Sequence, residues 1–142
     1  MPIQTLEFLS VDEAQAFVPH IETVAISILT PGRAPAQLHC DIQDVLRLYF
    51  HDGVPHGTAP RKVDLFSTEQ AQAVIDFLRY HHAEPHPQHL LIHCEAGISR
   101  SAAVAVFSAS ECRVPLNGQF AFLNPYVLSI LVKTAYPHYV ID

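Results

Sequence analysis

The chain has 142 residues, of which 49% are apolar and 15% charged, and its formal net charge is −6. Such a composition suits one folded domain over residues 1–142 and argues against a disordered chain. The negative balance speaks against broad binding to nucleic acid or to anionic membrane surfaces.

The opening residues, Met1-Pro2-Ile3-Gln4, lack the basic start and apolar run of a signal peptide. No apolar run approaches the roughly 20 residues of a spanning helix. The expectation is therefore a cytoplasmic protein that does not enter a membrane. Ser10-Val11-Asp12-Glu13 reads as a capping box, predicting a short helix to about Val18, which Pro19 ends. Thr23 to Leu29 is an apolar run of strand length, closed by Thr30-Pro31-Gly32. Val45 to Phe50 is a second strand candidate. A loop from His51 to about Leu65 follows, carrying Gly53, Pro55, Gly57 and Pro60.

Ser67-Thr68-Glu69-Gln70 is a second capping box. Ala71, Val74, Ile75 and Leu78 recur behind it at helical spacing, which predicts a helix to about His82, stopped by Pro85 and Pro87. Leu90-Leu91-Ile92 has the all-apolar pattern of a strand buried on both faces. From Ser99 the chain turns to small helix-forming residues, Ala102, Ala103, Ala105 and Ala109. Asn124-Pro125 supplies an N-cap and a proline at the first position of a last helix, through Leu128, Ile130 and Leu131. The alternation of strands and helices predicts an α/β fold with a central, mainly parallel sheet flanked by helices.

The three cysteines, Cys40, Cys94 and Cys112, are odd in number and contain no Cys-x-x-Cys pair. They form neither a disulfide framework nor a zinc ribbon. Cys112, at the end of the alanine-rich helix, reads as a core residue. Of the ten histidines, His81 and His82 point to different sides of a helix, and His51 and His56 have no cysteine partner at ligand spacing. No metal or other cofactor is expected.

The informative stretch is Leu90-Leu91-Ile92-His93-Cys94-Glu95-Ala96-Gly97-Ile98-Ser99-Arg100-Ser101-Ala102. A buried strand ends at His93, five residues separate Cys94 from Arg100, and a helix starts at about Ser99. The first N–H groups of a helix lack intrahelical partners and carry partial positive charge. Successive amides of a preceding loop can form a concave nest for an anion. Gly97 permits the bend. The segment Glu95-Ala96-Gly97-Ile98-Ser99-Arg100 thus reads as a phosphate cradle with a cysteine at its edge. The same field favours a thiolate. Arg100 offers a planar fork for two phosphate oxygens. Ser99 is placed to give its hydroxyl hydrogen to the sulfur, and His93 to hold the loop backbone. In this reading the thiolate attacks phosphorus and water then hydrolyses a phosphocysteine.

The string His93-Cys94-x5-Arg100-Ser101 resembles the signature of the protein tyrosine phosphatase superfamily. Its interior, Glu95 to Ser101, is similar to the dual-specificity branch. The resemblance covers roughly residues 44–135. It implies a single phosphatase domain acting on a phosphorylated protein or a small phosphomonoester. It also implies a general acid, an Asp on a loop upstream of the signature and after a strand. Asp52, in His51-Asp52-Gly53 after the second strand, is the first choice. Asp64 lies closer to the signature and is the competitor. The interval from Asp52 to Cys94 is longer than is usual for small members, so the loop with Pro55, Gly57, Pro60, Arg61 and Lys62 resembles an insertion.

Rival functions stay open. A phosphatase for an inositol phosphate or a phosphorylated metabolite often carries lysines inside the loop, and this loop has none. A non-catalytic phosphate-binding module usually lacks the Cys or the Arg, and both stand here. A sulfurtransferase or arsenate reductase fits the Ser99-Arg100-Ser101 run and the upstream acid less well.

Overall fold

The computed structural model describes residues 2–54 and 64–138. The elements, in chain order, are β1 (Ile3–Leu9), α1 (Val11–Ala16), β2 (Thr23–Leu29), β3 (Asp44–Tyr49), α2 (Thr68–His82), β4 (Gln88–His93), α3 (Arg100–Cys112) and α4 (Pro125–Ala135). The four strands of the described residues form one sheet in the order β1-β4-β2-β3. All three pairings are parallel. The expected α/β architecture with a flanked parallel sheet is therefore present.

Side-chain alternation along the central strands separates two layers. Val24, Ile26 and Ile28 of β2 and Leu90 and Ile92 of β4 point to the larger core, where they meet α2, α3 and α4. Ala25 and Leu91 point the other way, to Ala14 of α1 and Ile42 of the β2–β3 connection. All seven residues of β2 are buried because both faces are covered. That explains why its sequence reads as an unbroken apolar run.

Both capping boxes form as expected. Ser10 accepts from the Glu13 N–H and Ser67 from the Gln70 N–H, each with the reciprocal side-chain contact. The first helix stops at Ala16, two residues short of the expected Val18. Phe17 is extended and stacks on His89, with ring centroids 5.6 Å apart. Val18 precedes a proline, which disfavours helical backbone there. Asn124 caps α4 by accepting from the N–H groups of Tyr126 and Val127.

One element was not expected. β1 lies on the sheet edge beside β4, and its pairing shifts register between Ile3 and Thr5. The shift breaks the period-two pattern, placing buried Ile3 and Leu6 three residues apart. Only Leu6-Glu7-Phe8 keeps an alternation, too short to announce a strand.

Candidate active site

β4 ends at His93, α3 begins at Arg100, and the loop between them lies at the carboxyl end of the sheet. The amide of Cys94 donates to Leu9 O at 3.3 Å, and the amide of Val11 donates to Glu95 O at 3.2 Å. The loop is thus strapped to the end of β1 and the start of α1. Gly97 has φ +75° and packs on the same segment. A Cβ there would come within 2.4 Å of Ser10 N and 2.5 Å of Leu9 C. Glycine is required twice over, by conformation and by space.

Cys94 is 2% exposed. Its Sγ accepts the Gly97 N–H at 3.2 Å and lies 3.1 Å from Ser101 Oγ. Ser101 is fully buried in the first turn of α3. The sequence expectation gave Ser99 the contact with sulfur, and the geometry corrects it. Ser99 Oγ donates to Asp52 Oδ1 at 2.8 Å. Ser99 stands at the N-cap of α3 yet makes no capping bond, because its hydroxyl is engaged with Asp52.

Asp52 is drawn in from both sides. Asn124 Nδ2 donates to Asp52 Oδ1 at 2.9 Å and to Gly53 O at 3.1 Å, while the Asn124 amide donates to Ser99 O at 3.2 Å. One asparagine therefore caps α4, holds Asp52 and Gly53 and touches the residue before Arg100. Asp64 is joined to the same loop through its backbone. His51 N donates to Asp64 O at 2.6 Å, and Asp64 N to His51 Nδ1 at 3.0 Å. Among the described residues, the Asp64 carboxylate makes no bond to the Cys94 loop. Arg61 and Lys62 lie outside the described residues.

Arg100 is 5% exposed. Its NH1 donates to Phe50 O at 2.8 Å and Thr30 Oγ1 at 3.3 Å, and its NH2 to Glu95 Oε1 at 3.0 Å. Its Nε is buried and has no partner among the described residues. Glu95 sits between two cations, since its Oε2 also meets Arg33 NH1 at 2.6 Å. Burial alone would raise the Glu95 pKa. Hydrogen bonds from Thr30, Arg33 and Arg100 outweigh it and hold the carboxyl at about 2. Arg33 and Arg100 thus share one carboxylate, that of Glu95.

His93 is fully buried, and its Nδ1 lies 3.2 Å from Cys94 O, the backbone contact expected of it. Its Nε2 lies 2.6 Å from Ser27 Oγ. Ser27 and His93 are register partners on β2 and β4, so the pairing of two strands fixes the contact. Burial is the main cause lowering the His93 pKa, and the ring is neutral near pH 7. Ala96 and Ile98 are exposed on the loop rim, with Ile98 at 47%.

Cys112 is buried as expected, and burial pushes its thiol up to about 11. Cys40 is exposed in the β2–β3 connection. His39, Cys40 and Asp41 bring three donor atoms within 4.8 Å of one another. His39 Nδ1 already accepts the Asp41 N–H at 3.0 Å, which weakens that group as a ligand set. Sequence reasoning missed Thr30, Arg33, Ser27 and Asn124. Thr30 read only as part of a strand terminator and Asn124 only as a cap.

Comparison with protein-family models, with curated proteins and with solved structures found no match.

Proposed function

We propose that this protein is a cysteine-dependent phosphatase that hydrolyses phosphomonoesters, of a phosphotyrosine or dual-specificity protein substrate, through a phosphocysteine intermediate. The carrying observation is the surroundings of one sulfur. Cys94 Sγ accepts an amide hydrogen from Gly97 and adjoins Ser101 Oγ at the start of α3. The buried Arg100 keeps two donors, Nε–H and the second hydrogen of NH2, uncommitted among the described residues. A buried donor without an acceptor is unfavourable by roughly 1–3 kcal/mol, and an anion in the cradle would remove that penalty.

The chemistry follows from these groups. The thiolate of Cys94 attacks phosphorus and forms an S–P bond as the P–O bond to the leaving group breaks. Loop amides and the Arg100 fork stabilise the equatorial oxygens. Asp52 gives a proton to the leaving oxygen from Oδ2, since Oδ1 is occupied by Ser99 and Asn124. Water then attacks phosphorus and Asp52 takes its proton. The S–P bond breaks, inorganic phosphate leaves, and the Ser101 hydroxyl steadies the departing thiolate. Glu95 and Thr30 orient Arg100.

The test is phosphate release from para-nitrophenyl phosphate between pH 5 and 8, with Cys94→Ser and Arg100→Ala beside wild type. Activity lost in both variants is the expected result. A wild type that binds vanadate without turnover points to a binding module. Absence of both turnover and oxyanion binding sinks the cradle itself.

A further inference from the structure

Three loops meet at Asn124. Its Nδ2 donates to Asp52 Oδ1 and Gly53 O on the loop after β3, and its amide donates to Ser99 O at the end of the Cys94 loop. Each loop holds a large apolar side chain in solvent within two residues of these contacts. Val54 follows Gly53, Ile98 precedes Ser99, and Phe122 stands two residues before Asn124 with 70% of its surface exposed. Phe120, on the same loop as Phe122, is exposed as well. Half of the eight exposed large apolar residues among the described residues therefore sit on three loops joined at one asparagine. Apolar residues scattered singly over a surface call for no explanation, but a gathering of them beside a candidate site does.

The gathering is held in place. The Leu123 amide donates to Phe120 O at 3.1 Å, closing a turn with Ala121 and Phe122 at its corner. On one side of the turn, Phe120 packs on Phe8 of β1, with ring centroids 5.9 Å apart. Leu9, the next residue of β1, accepts the Cys94 amide. On the other side, Leu123 packs against the larger core. An apolar side chain presented from an anchored turn loses little further freedom when something covers it. The stretch from Val114 to Asn124 contains no charged residue. Glu95, the one charge between Cys94 and Arg100, is engaged by Arg33 and Arg100. The rim formed by Val54, Ile98 and Phe122 thus offers an apolar group a contact and an acidic group no cation.

We propose that Phe122, with Ile98 and Val54, selects a phosphorylated protein segment carrying a large apolar side chain two positions from its phosphorylated residue. In an extended chain, side chains two positions apart point to the same side, about 7 Å from each other. With the phosphate in the Cys94 loop, the side chain two positions away comes down on the rim instead of entering solvent. The inference rests on the phosphatase reading and adds a preference for what flanks the phosphate.

The experiment compares phosphotyrosyl heptapeptides that differ only at the two positions flanking the central residue at a distance of two, which are Leu, Ala or Asp. Turnover of para-nitrophenyl phosphate by wild type is measured alongside. Covering roughly 55 Å² of apolar surface corresponds to about tenfold, so wild type should prefer the Leu to the Ala peptide about tenfold in kcat/KM. The Asp peptide should be no better than the Ala peptide. Phe122→Ala should bring the Leu-to-Ala ratio to about twofold or less, and Phe122→Leu should restore most of it. The ratio is internal to each protein, so a loss of active enzyme does not move it. Equal rates on the Leu and Ala peptides, a ratio unchanged in Phe122→Ala, or turnover of para-nitrophenyl phosphate with none of any peptide each overturns the proposal and leaves the phosphatase reading standing. Absence of turnover on every substrate removes that reading and the proposal with it.

Discussion

Ser99 Oγ donates to Asp52 Oδ1 at 2.8 Å, across 47 residues of sequence. The bond ties the loop after β3 to the first turn of α3 and leaves the helix without its side-chain cap. On the proposed mechanism, the hydroxyl serves by placing the acid. Ser99→Ala should lower kcat several-fold while para-nitrophenyl phosphate KM changes little. Asp52→Asn should lower kcat about 10²- to 10³-fold and remove the fall in activity with rising pH that a general acid imposes. Steady-state profiles between pH 5 and 8 check both. A larger loss from Asp64→Asn would transfer the acid role.

Ser101, at 3.1 Å from the Cys94 sulfur, has a different expected signature. On the proposed mechanism its hydroxyl stabilises the departing thiolate, so Ser101→Ala should slow hydrolysis of the phosphocysteine about tenfold or more. Rapid-quench trapping should show more phosphoenzyme at steady state than in wild type. Unchanged occupancy would remove Ser101 from the second step.

Glu95 should link the cradle to acid stability. Its folded pKa of about 2 lies below the ordinary 4.5. A depressed carboxyl contributes stability that is complete above about 4.5 and is lost as pH falls toward 2. The full shift corresponds to at most roughly 3 kcal/mol, and the side chain's 27% exposure makes the true figure smaller. Glu95→Gln should therefore flatten the fall in stability between pH 4.5 and 2, read by urea unfolding at stepped pH. The same variant should bind vanadate more weakly at pH 7, because the Arg100 fork loses its anchor.

Gly97→Ala combines a positive φ with a 2.4 Å approach to backbone that no side-chain rotation relieves. Destabilisation of roughly 2 kcal/mol or more is expected, together with loss of oxyanion binding. Chemical denaturation and vanadate titration measure the two effects. Ser27→Ala tests the other support of the loop. It leaves buried His93 Nε2 without its partner, at about 1–3 kcal/mol.

Much of the local structure was legible because its causes are local. The capping boxes at Ser10 and Ser67, the Asn124-Pro125 start of α4 and the apolar run of β2 each carry their reason within a few residues. In the string from His93 to Ser101, the end of β4 and the start of α3 were likewise legible. What escaped reading depends on contacts distant in sequence. β1 is a strand by virtue of pairing with β4, and its register shift hides the alternation. The exchange of roles between Ser99 and Ser101 was not decidable from a string in which both hydroxyls flank Arg100. It is set by Asp52, from a different loop. Thr30 and Arg33 carry no motif for the site, and Asn124 announces a cap but not its bond to Asp52. Their relevance comes from where parallel strands end together.

The backing of the Cys94 loop by Leu9, Ser10 and Val11 bears on when the site comes into being. Residues 44–135 carry the recognisable motif, yet the surface on which Gly97 rests is made by β1 and the start of α1. The partners Ile3 and Gln88 are 85 positions apart, among the longest-range pairings of the sheet. Such closures are slow relative to local helix formation. On a nascent chain α3 would thus be able to form soon after the thiol emerges, but the Cys94 loop would take shape only once the first strand docks on β4. A fragment beginning at residue 44 would contain every signature residue and still lack the wall that shapes them into a site.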